Sequence, residues 1–279
     1  MNSYAYYNGN FGLREEIRIP LSDRAIFFGD AIYDAAIGSY DRILWEDEHI
    51  DRFLSNAARI GIKQSYTKRF LSQLLREIGV KSMLKSYFIY FQMSRRKATR
   101  VHSAKGTSAS LLITIDEIEI MPDPKPLKLI CTEDKRYGFC DIKTVNLLPA
   151  VLSSTAADLR GCDEAIFEKN GIITECSKSN ISIIKRGRVI THPRSSEILP
   201  GVTREHLLKI CQRESLPTEE RPFTKNELFS ADEILITGTG KLCKTASEID
   251  GISVGGKDPD LAKMICRKMY KEYAEFCKI

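Results

Sequence analysis

The sequence predicts an α+β fold in two domains, a small N-terminal one over residues 1–120 and a larger C-terminal one over 127–279, with a Pro-rich linker at 121–126. Three observations predict it. Met121-Pro122-Asp123-Pro124-Lys125-Pro126 sets three prolines in five residues, which forbids a helix and disfavours a central strand. Before the linker, stretches with helical apolar spacing are followed by stretches rich in aromatic and β-branched residues; after it, short strand-like runs mix with helical ones. A length of 279 residues with 43% hydrophobic content is enough to fill two cores.

In chain order, Glu48 to Ile60 carries Ile50, Phe53, Leu54, Ala57 and Ile60 at helical spacing, and Phe70, Leu71, Leu74, Leu75 and Ile78 repeat the pattern. Tyr87 to Met93 and Ser110 to Ile115 read as strands of the same small domain. Beyond the linker, strands are expected at Leu127 to Thr132, Glu164 to Glu168, Ile172 to Thr174, Ile181 to Ile184, Val189 to Thr191 and Glu233 to Thr237. Asn170-Gly171 predicts a tight hairpin turn. Helices are expected at about Leu147 to Leu159, Arg204 to Glu214 and Pro259 to Phe276, with Gly161 stopping the first.

Composition narrows the function. The net charge of +5 is spread along the chain, and its most compact basic run is Arg95-Arg96-Lys97, so it points to a mild preference for anionic small molecules or to no partner class at all, and nucleic acid is not expected. Apolar runs such as Leu111-Leu112-Ile113 are strand-sized, and Met1-Asn2-Ser3-Tyr4 lacks a charged start before an apolar block; neither a membrane span nor a secretory signal is expected. The eight cysteines form no CxxC pair, which argues against a zinc site or a disulfide framework. Free thiols point to a reducing compartment, most simply the cytoplasm.

One pair of residues carries a specific chemistry. Lys143, in Asp141-Ile142-Lys143-Thr144-Val145-Asn146, leads into an apolar stretch, and Glu175 follows in the Ser/Asn-rich Thr174-Glu175-Cys176-Ser177-Lys178-Ser179-Asn180. An enzyme using pyridoxal phosphate needs an amine for the cofactor's aldehyde and an anion to keep its pyridine nitrogen protonated. Leu199-Pro200-Gly201-Val202-Thr203-Arg204-Glu205 is a glycine turn entering a helix, where the amides of Val202 and Thr203 can meet an anion; the alternative is an ordinary loop with Thr203 as N-cap. Thr237-Gly238-Thr239-Gly240 is a second oxyanion cradle. Arg52 falls on the polar face of its helix, with Glu48 available as a partner. Arg100 and His102, two apart, share a face if they stand on a strand and can grip one carboxylate; an exposed loop is the alternative.

The chain resembles the fold-type IV pyridoxal-phosphate enzymes, most of all the bacterial D-amino acid transaminases. Matching segments are Asp23-Arg24 through Phe28-Gly29-Asp30 and Tyr33, Glu48 to Arg52, Arg100-Val101-His102, Cys140 to Lys143, Gly161 to Ala165, Glu175 to Asn180, Gly201 to Arg204 and Thr237 to Thr239. The resemblance implies that Lys143 bonds to the cofactor's aldehyde and shuttles the substrate's Cα proton. It implies that Glu175 faces the pyridine nitrogen, that Arg52, Val202, Thr203 and Thr239 hold the phosphate, and that Leu199 packs under the ring. Tyr33, Arg100 and His102 would trap the substrate carboxylate in the manner of the D-specific branch. A homodimer is implied too, since sites in this family lie between the domains and beside the subunit interface. A branched-chain L-amino acid transaminase or aminodeoxychorismate lyase is the rival enzyme, and a non-catalytic cofactor- or partner-binding descendant the rival of another class. The chain departs from the family pattern at Gly240-Lys241-Leu242-Cys243-Lys244-Thr245, at Lys178 and at Phe139, which bears on substrate scope.

Overall fold

The computed structural model describes residues 3–95, 100–104 and 108–278. Arg96 and Lys97 of the basic run lie outside the described residues. The chain forms two compact units: Met1–Glu119 with Ile142–Asn146, and Ile120–Asp141 with Leu147–Ile279.

In the first unit, β1 (Tyr4–Tyr7), β2 (Asn10–Leu13), α1 (Arg24–Phe28), β3 (Ala31–Ser39), β4 (Arg42–Ile43), α2 (Glu46–Arg59), α3 (Lys68–Ser82), β5 (Tyr87–Arg95) and β6 (Ala109–Glu117) follow in order. The strands make an antiparallel sheet in the order β2-β1-β6-β5-β3-β4. One face is the core. Ile89, Phe91 and Met93 of β5 alternate inward and pack with Ile32, Leu111 and Ile113 and with Ile50, Phe53, Leu71 and Leu75 of the two long helices. Acidic Glu46, Asp47 and Glu48 favour the N-terminus of α2, and Thr67 caps α3 by accepting from the Phe70 amide at 3.1 Å. Gly79 stands within α3 for a packing reason: a Cβ there would lie 1.9 Å from the Tyr87 hydroxyl, which donates to the Tyr40 carbonyl at 2.9 Å.

The opposite face carries Tyr33, Tyr90 and Gln92, all half-buried. Beside β3 runs a segment expected in the larger domain. Ile142–Asn146 joins the first unit because the Tyr33 amide donates to the Lys143 carbonyl at 2.8 Å, Ile32 bridges Thr144, and Ile142 enters the first unit's core. The expectation that the larger domain carries Lys143 is thus corrected: backbone pairing to β3 captures the lysine.

The second unit runs β7 (Leu127–Glu133), α4 (Leu148–Asp158), β8 (Glu164–Lys169), β9 (Ile172–Cys176), β10 (Asn180–Lys185), β11 (Arg188–Thr191), α5 (Val202–Arg213), β12 (Thr218–Glu220), β13 (Phe223–Thr224), α6 (Lys225–Ser230), β14 (Glu233–Gly238), β15 (Leu242–Ile249), β16 (Ile252–Ser253) and α7 (Pro259–Cys277). Its mixed sheet has the order β12-β11-β10-β14-β15-β7-β8-β9-β13, with β16 on β15. The β8–β9 hairpin turns at Asn170 (φ 53°) and Gly171 (φ 80°), the left-handed pair its sequence predicts. Ile166, Ile173, Ile181, Ile183, Phe223 and Ile236 are among the fully buried residues of its core. The cysteines are free thiols. No helix among the described residues is long and apolar enough to cross a membrane.

Candidate active site

In the first unit, alternation along Ile142–Asn146 sends Ile142 into the core and Lys143 to the other side, where its Nζ lies 4.3 Å from the centre of the Tyr33 ring. Tyr33 stacks on Tyr90 of the neighbouring strand with ring centres 5.2 Å apart, and the Tyr90 hydroxyl donates to Gln92 Oε1 at 2.6 Å. This fixes an aromatic wall beside the lysine.

Arg52 reaches beyond its own helix. Its Nε donates to Asp34 Oδ2 and its Nη2 to Asp34 Oδ1, each at 2.8 Å, a two-pronged grip on a fully buried carboxylate of β3. His49 Nδ1 sits 2.8 Å from Asp34 Oδ1. Burial disfavours charge on Asp34, yet Arg52 and His49 hold its pKa well below the usual carboxylate range. Burial, followed by Arg52 and Lys143, pushes the His49 pKa below its ordinary value against the pull of Asp34. Asp34 therefore holds Arg52, and His49 in turn holds Asp34.

Of the two readings of Arg100 and His102, strand or exposed loop, the described residues show the loop. Residues 100–104 form irregular backbone, and both side chains are exposed. They are nonetheless brought together, by buried Arg24 rather than by strand periodicity. Arg24 Nη1 donates to the Val101 carbonyl at 2.6 Å and Nη2 to the His102 carbonyl at 2.9 Å, while Nε holds Asp30 at 2.8 Å. The His102 ring centre is 5.4 Å from that of Phe28, and the Arg100 guanidinium is 5.6 Å from the same ring. Asp23 sustains this corner by capping α1 and accepting from Ser94 Oγ at 2.8 Å.

In the second unit, Glu175 lies on β9 rather than in the turn that follows, and its side chain is 6% exposed. Oε1 is ion-paired with Arg136 Nη1, and Oε2 accepts from Asn180 Nδ2 at 2.8 Å and from the Leu199 amide at 3.1 Å. Arg136, overlooked in the sequence, also grips Asp134 through Nε at 2.9 Å and Nη2 at 2.7 Å, and lies 4.4 Å above the Phe167 ring. Burial opposes its charge, but hydrogen bonds to Asp134 and the fields of both acids hold its pKa above the ordinary value. The guanidinium in turn favours the charged form of Glu175.

Helix α5 begins at Val202, with Gly201 as its N-cap and no capping side chain, so Thr203 is inside the helix rather than its cap. A Cβ on Gly201 would fall 2.0 Å from Asn180 Oδ1; only glycine lets the helix start so close to the Glu175 network. The hydroxyls of Thr203 and Thr237 are buried with no hydrogen-bond partner among the described residues. Thr239 stands in the turn after β14.

The fold is that of the pyridoxal-phosphate enzymes of fold type IV. A family profile described as Amino-transferase class IV matches residues 32–249. Over 258 residues the chain is 34% identical to a D-alanine aminotransferase of Bacillus licheniformis, spanning 91% of this chain and 90% of that one. Its fold matches a branched-chain aminotransferase of Thermoproteus uzoniensis solved with norvaline (TM-score 0.88, 23% identity, 100% and 98% of the two chains). It also matches the branched-chain amino acid aminotransferase of Escherichia coli (TM-score 0.85, 21% identity, 97% and 94%). The chain belongs to the class IV aminotransferases. The cofactor fits the residues present: two orphaned buried hydroxyls and the uncapped amides of α5 suit a phosphate, and a buried carboxylate held by Arg136 suits a protonated ring nitrogen.

Proposed function

We propose that the protein transfers an amino group between a D-amino acid such as D-alanine and a 2-oxo acid such as 2-oxoglutarate, in two half-reactions. Bound pyridoxal 5'-phosphate supplies an aldehyde for the substrate amine and a protonated ring that holds the electrons released at Cα. Lys143 Nζ carries the cofactor at rest and moves the Cα proton; Glu175 accepts from the ring nitrogen. Arg52, Thr203, Thr239 and the Val202 amide hold the phosphate, and Leu199 packs under the ring. Tyr33, Arg100 and His102 take the substrate carboxylate.

The observation that carries the handedness is the seating of Arg100 and His102 on one aromatic ring by Arg24. Purified protein should show a visible cofactor band and form pyruvate from D-alanine with 2-oxoglutarate, with L-alanine at least about a hundredfold poorer, a margin equivalent to two tenfold steps in transition-state binding. A preference for branched-chain L-amino acids would overturn the D-specific reading, and a colourless, inert protein would overturn catalysis.

The working form in this reading is a homodimer, in which the exposed Arg100 and His102 complete the partner's site. Helix α4 supports it: Leu148, Val151 and Leu152 lie at helical spacing, each more than half exposed, with Leu159 following just beyond the helix end. Burying such a side chain is worth about 1.5–3 kcal/mol, so a shared apolar face is a strong drive to associate. The double variant Leu148→Glu/Leu152→Glu should sediment as a monomer at micromolar concentration where the parent is a dimer. A dimer of unchanged affinity would remove α4 from the interface.

A further inference from the structure

Glu164 opens β8 and is fully buried. Its Oε1 accepts from the Lys178 amide at 2.8 Å, and its Oε2 accepts from Ser179 Oγ at 2.9 Å and is ion-paired with Lys241 Nζ. A buried carboxylate with only neutral donors carries uncompensated charge; Lys241 is the cation that the described residues bring to it. Lys241 closes the hairpin between β14 and β15, its amide donating to the Gly238 carbonyl at 3.1 Å. The next residue, Leu242, stands at φ 54°, a left-handed position that three-residue hairpin loops usually give to glycine. A turn strained in this way keeps its shape only where its surroundings over-determine it.

The two turns also touch: a Cβ on Gly238 would lie 3.4 Å from Ser179 Oγ and 3.7 Å from the Lys178 carbonyl. From Ser179 the path continues through Asn180, whose Nδ2 binds Glu175 Oε2 at 2.8 Å and the Leu199 carbonyl at 2.9 Å, and whose Oδ1 abuts Gly201. One continuous set of contacts thus links Lys241 to Glu175 and to the start of α5.

We infer that Lys241 is a positioning residue for phosphate: by neutralising Glu164 it locks the hairpin that bears Thr239 onto the Lys178–Asn180 turn and holds Thr239 in register with the amides of Val202 and Thr203. The inference rests on the cofactor reading above. It is tested by titrating apo-protein with pyridoxal 5'-phosphate and, separately, with pyridoxal, which lacks the phosphate. Lys241→Met keeps the stem and removes the charge. It should weaken pyridoxal 5'-phosphate binding by about ten- to a hundredfold, the effect of losing a charge-assisted contact, and pyridoxal binding by less than about threefold. Lys241→Arg should restore the phosphate-dependent affinity. Glu164→Gln/Lys241→Met leaves no buried unpaired carboxylate to unfold the chain and should show the same phosphate-selective loss. Equal losses for both ligands, or full affinity in Lys241→Met, would sink the inference. If the parent itself binds pyridoxal 5'-phosphate no better than pyridoxal, the cofactor reading fails instead.

Discussion

Lys143→Ala should abolish steady-state transamination, lowering kcat by about a thousandfold or more while leaving the fold intact. The magnitude follows from losing both the nucleophile for the aldehyde and the base for Cα, since a positioned general base alone contributes about 10²–10⁴-fold. The stability cost is small because the side chain's recorded contact is its ammonium over Tyr33, a cation–π interaction worth about 0.5–2 kcal/mol. Ile142 and the pairing of the segment with β3 are untouched by the change. Borohydride treatment of the parent should fix the pyridoxyl group on the peptide containing Lys143, and the same treatment of the variant should fix none. Labelling at another lysine, or a variant retaining a tenth of the parent's rate, would displace Lys143 from the chemistry.

Residues whose role is local were legible in the sequence, and residues whose role depends on distant partners were not. The amphipathic spacing of α2 and α3, the aromatic and β-branched content of β5 and the Asn170-Gly171 turn are statements about neighbours in sequence, and the structure realises each within a few residues. Strand β3, Ala-Ile-Tyr-Asp-Ala-Ala-Ile-Gly-Ser, has weak strand propensity and forms because β5 and β4 flank it, so tertiary pairing overrides composition. The polar strand β15 escaped notice for the same reason, whereas the N-terminal hairpin β1–β2 carries a local signal that went unread, Asn8-Gly9 after the tyrosine-rich Tyr4–Tyr7. At the site, Lys143 and Glu175 announced a chemistry by their residue types. Arg136 did not: one guanidinium among 42 Lys and Arg is anonymous until the fold sets it between Asp134 and Glu175. The grip of Asp34 on Arg52 was equally hidden, because Asp34 lies on a strand that had not been assigned. For Arg100 and His102 the sequence left strand and loop open, and the residue that joins them in the loop, Arg24, acts through backbone carbonyls that sequence cannot single out.

Arg136 is where the second large effect is expected, and it separates stability from catalysis. In Arg136→Met the side chains of Asp134 and Glu175, 5% and 6% exposed, lose their shared cation. Removing one partner of a buried pair costs about 3–5 kcal/mol, which for a chain of this size lowers Tm by roughly 10 °C. Glu175→Gln behaves differently. Arg136 keeps Asp134, Asn180 and the Leu199 amide lose only a charged acceptor, and the fold should hold to within about 1–2 kcal/mol. Its kcat should nevertheless fall by about 10²-fold or more, because a neutral amide no longer favours the protonated ring that accepts electrons from Cα. The double variant supplies the decisive comparison. With Glu175 already neutral, Arg136→Met strands one buried carboxylate instead of two, so the two stability losses should sum to more than the loss in the double variant. Additive losses would mean that Arg136 supports Asp134 alone, and an unchanged kcat in Glu175→Gln would mean that the ring nitrogen is served by another group.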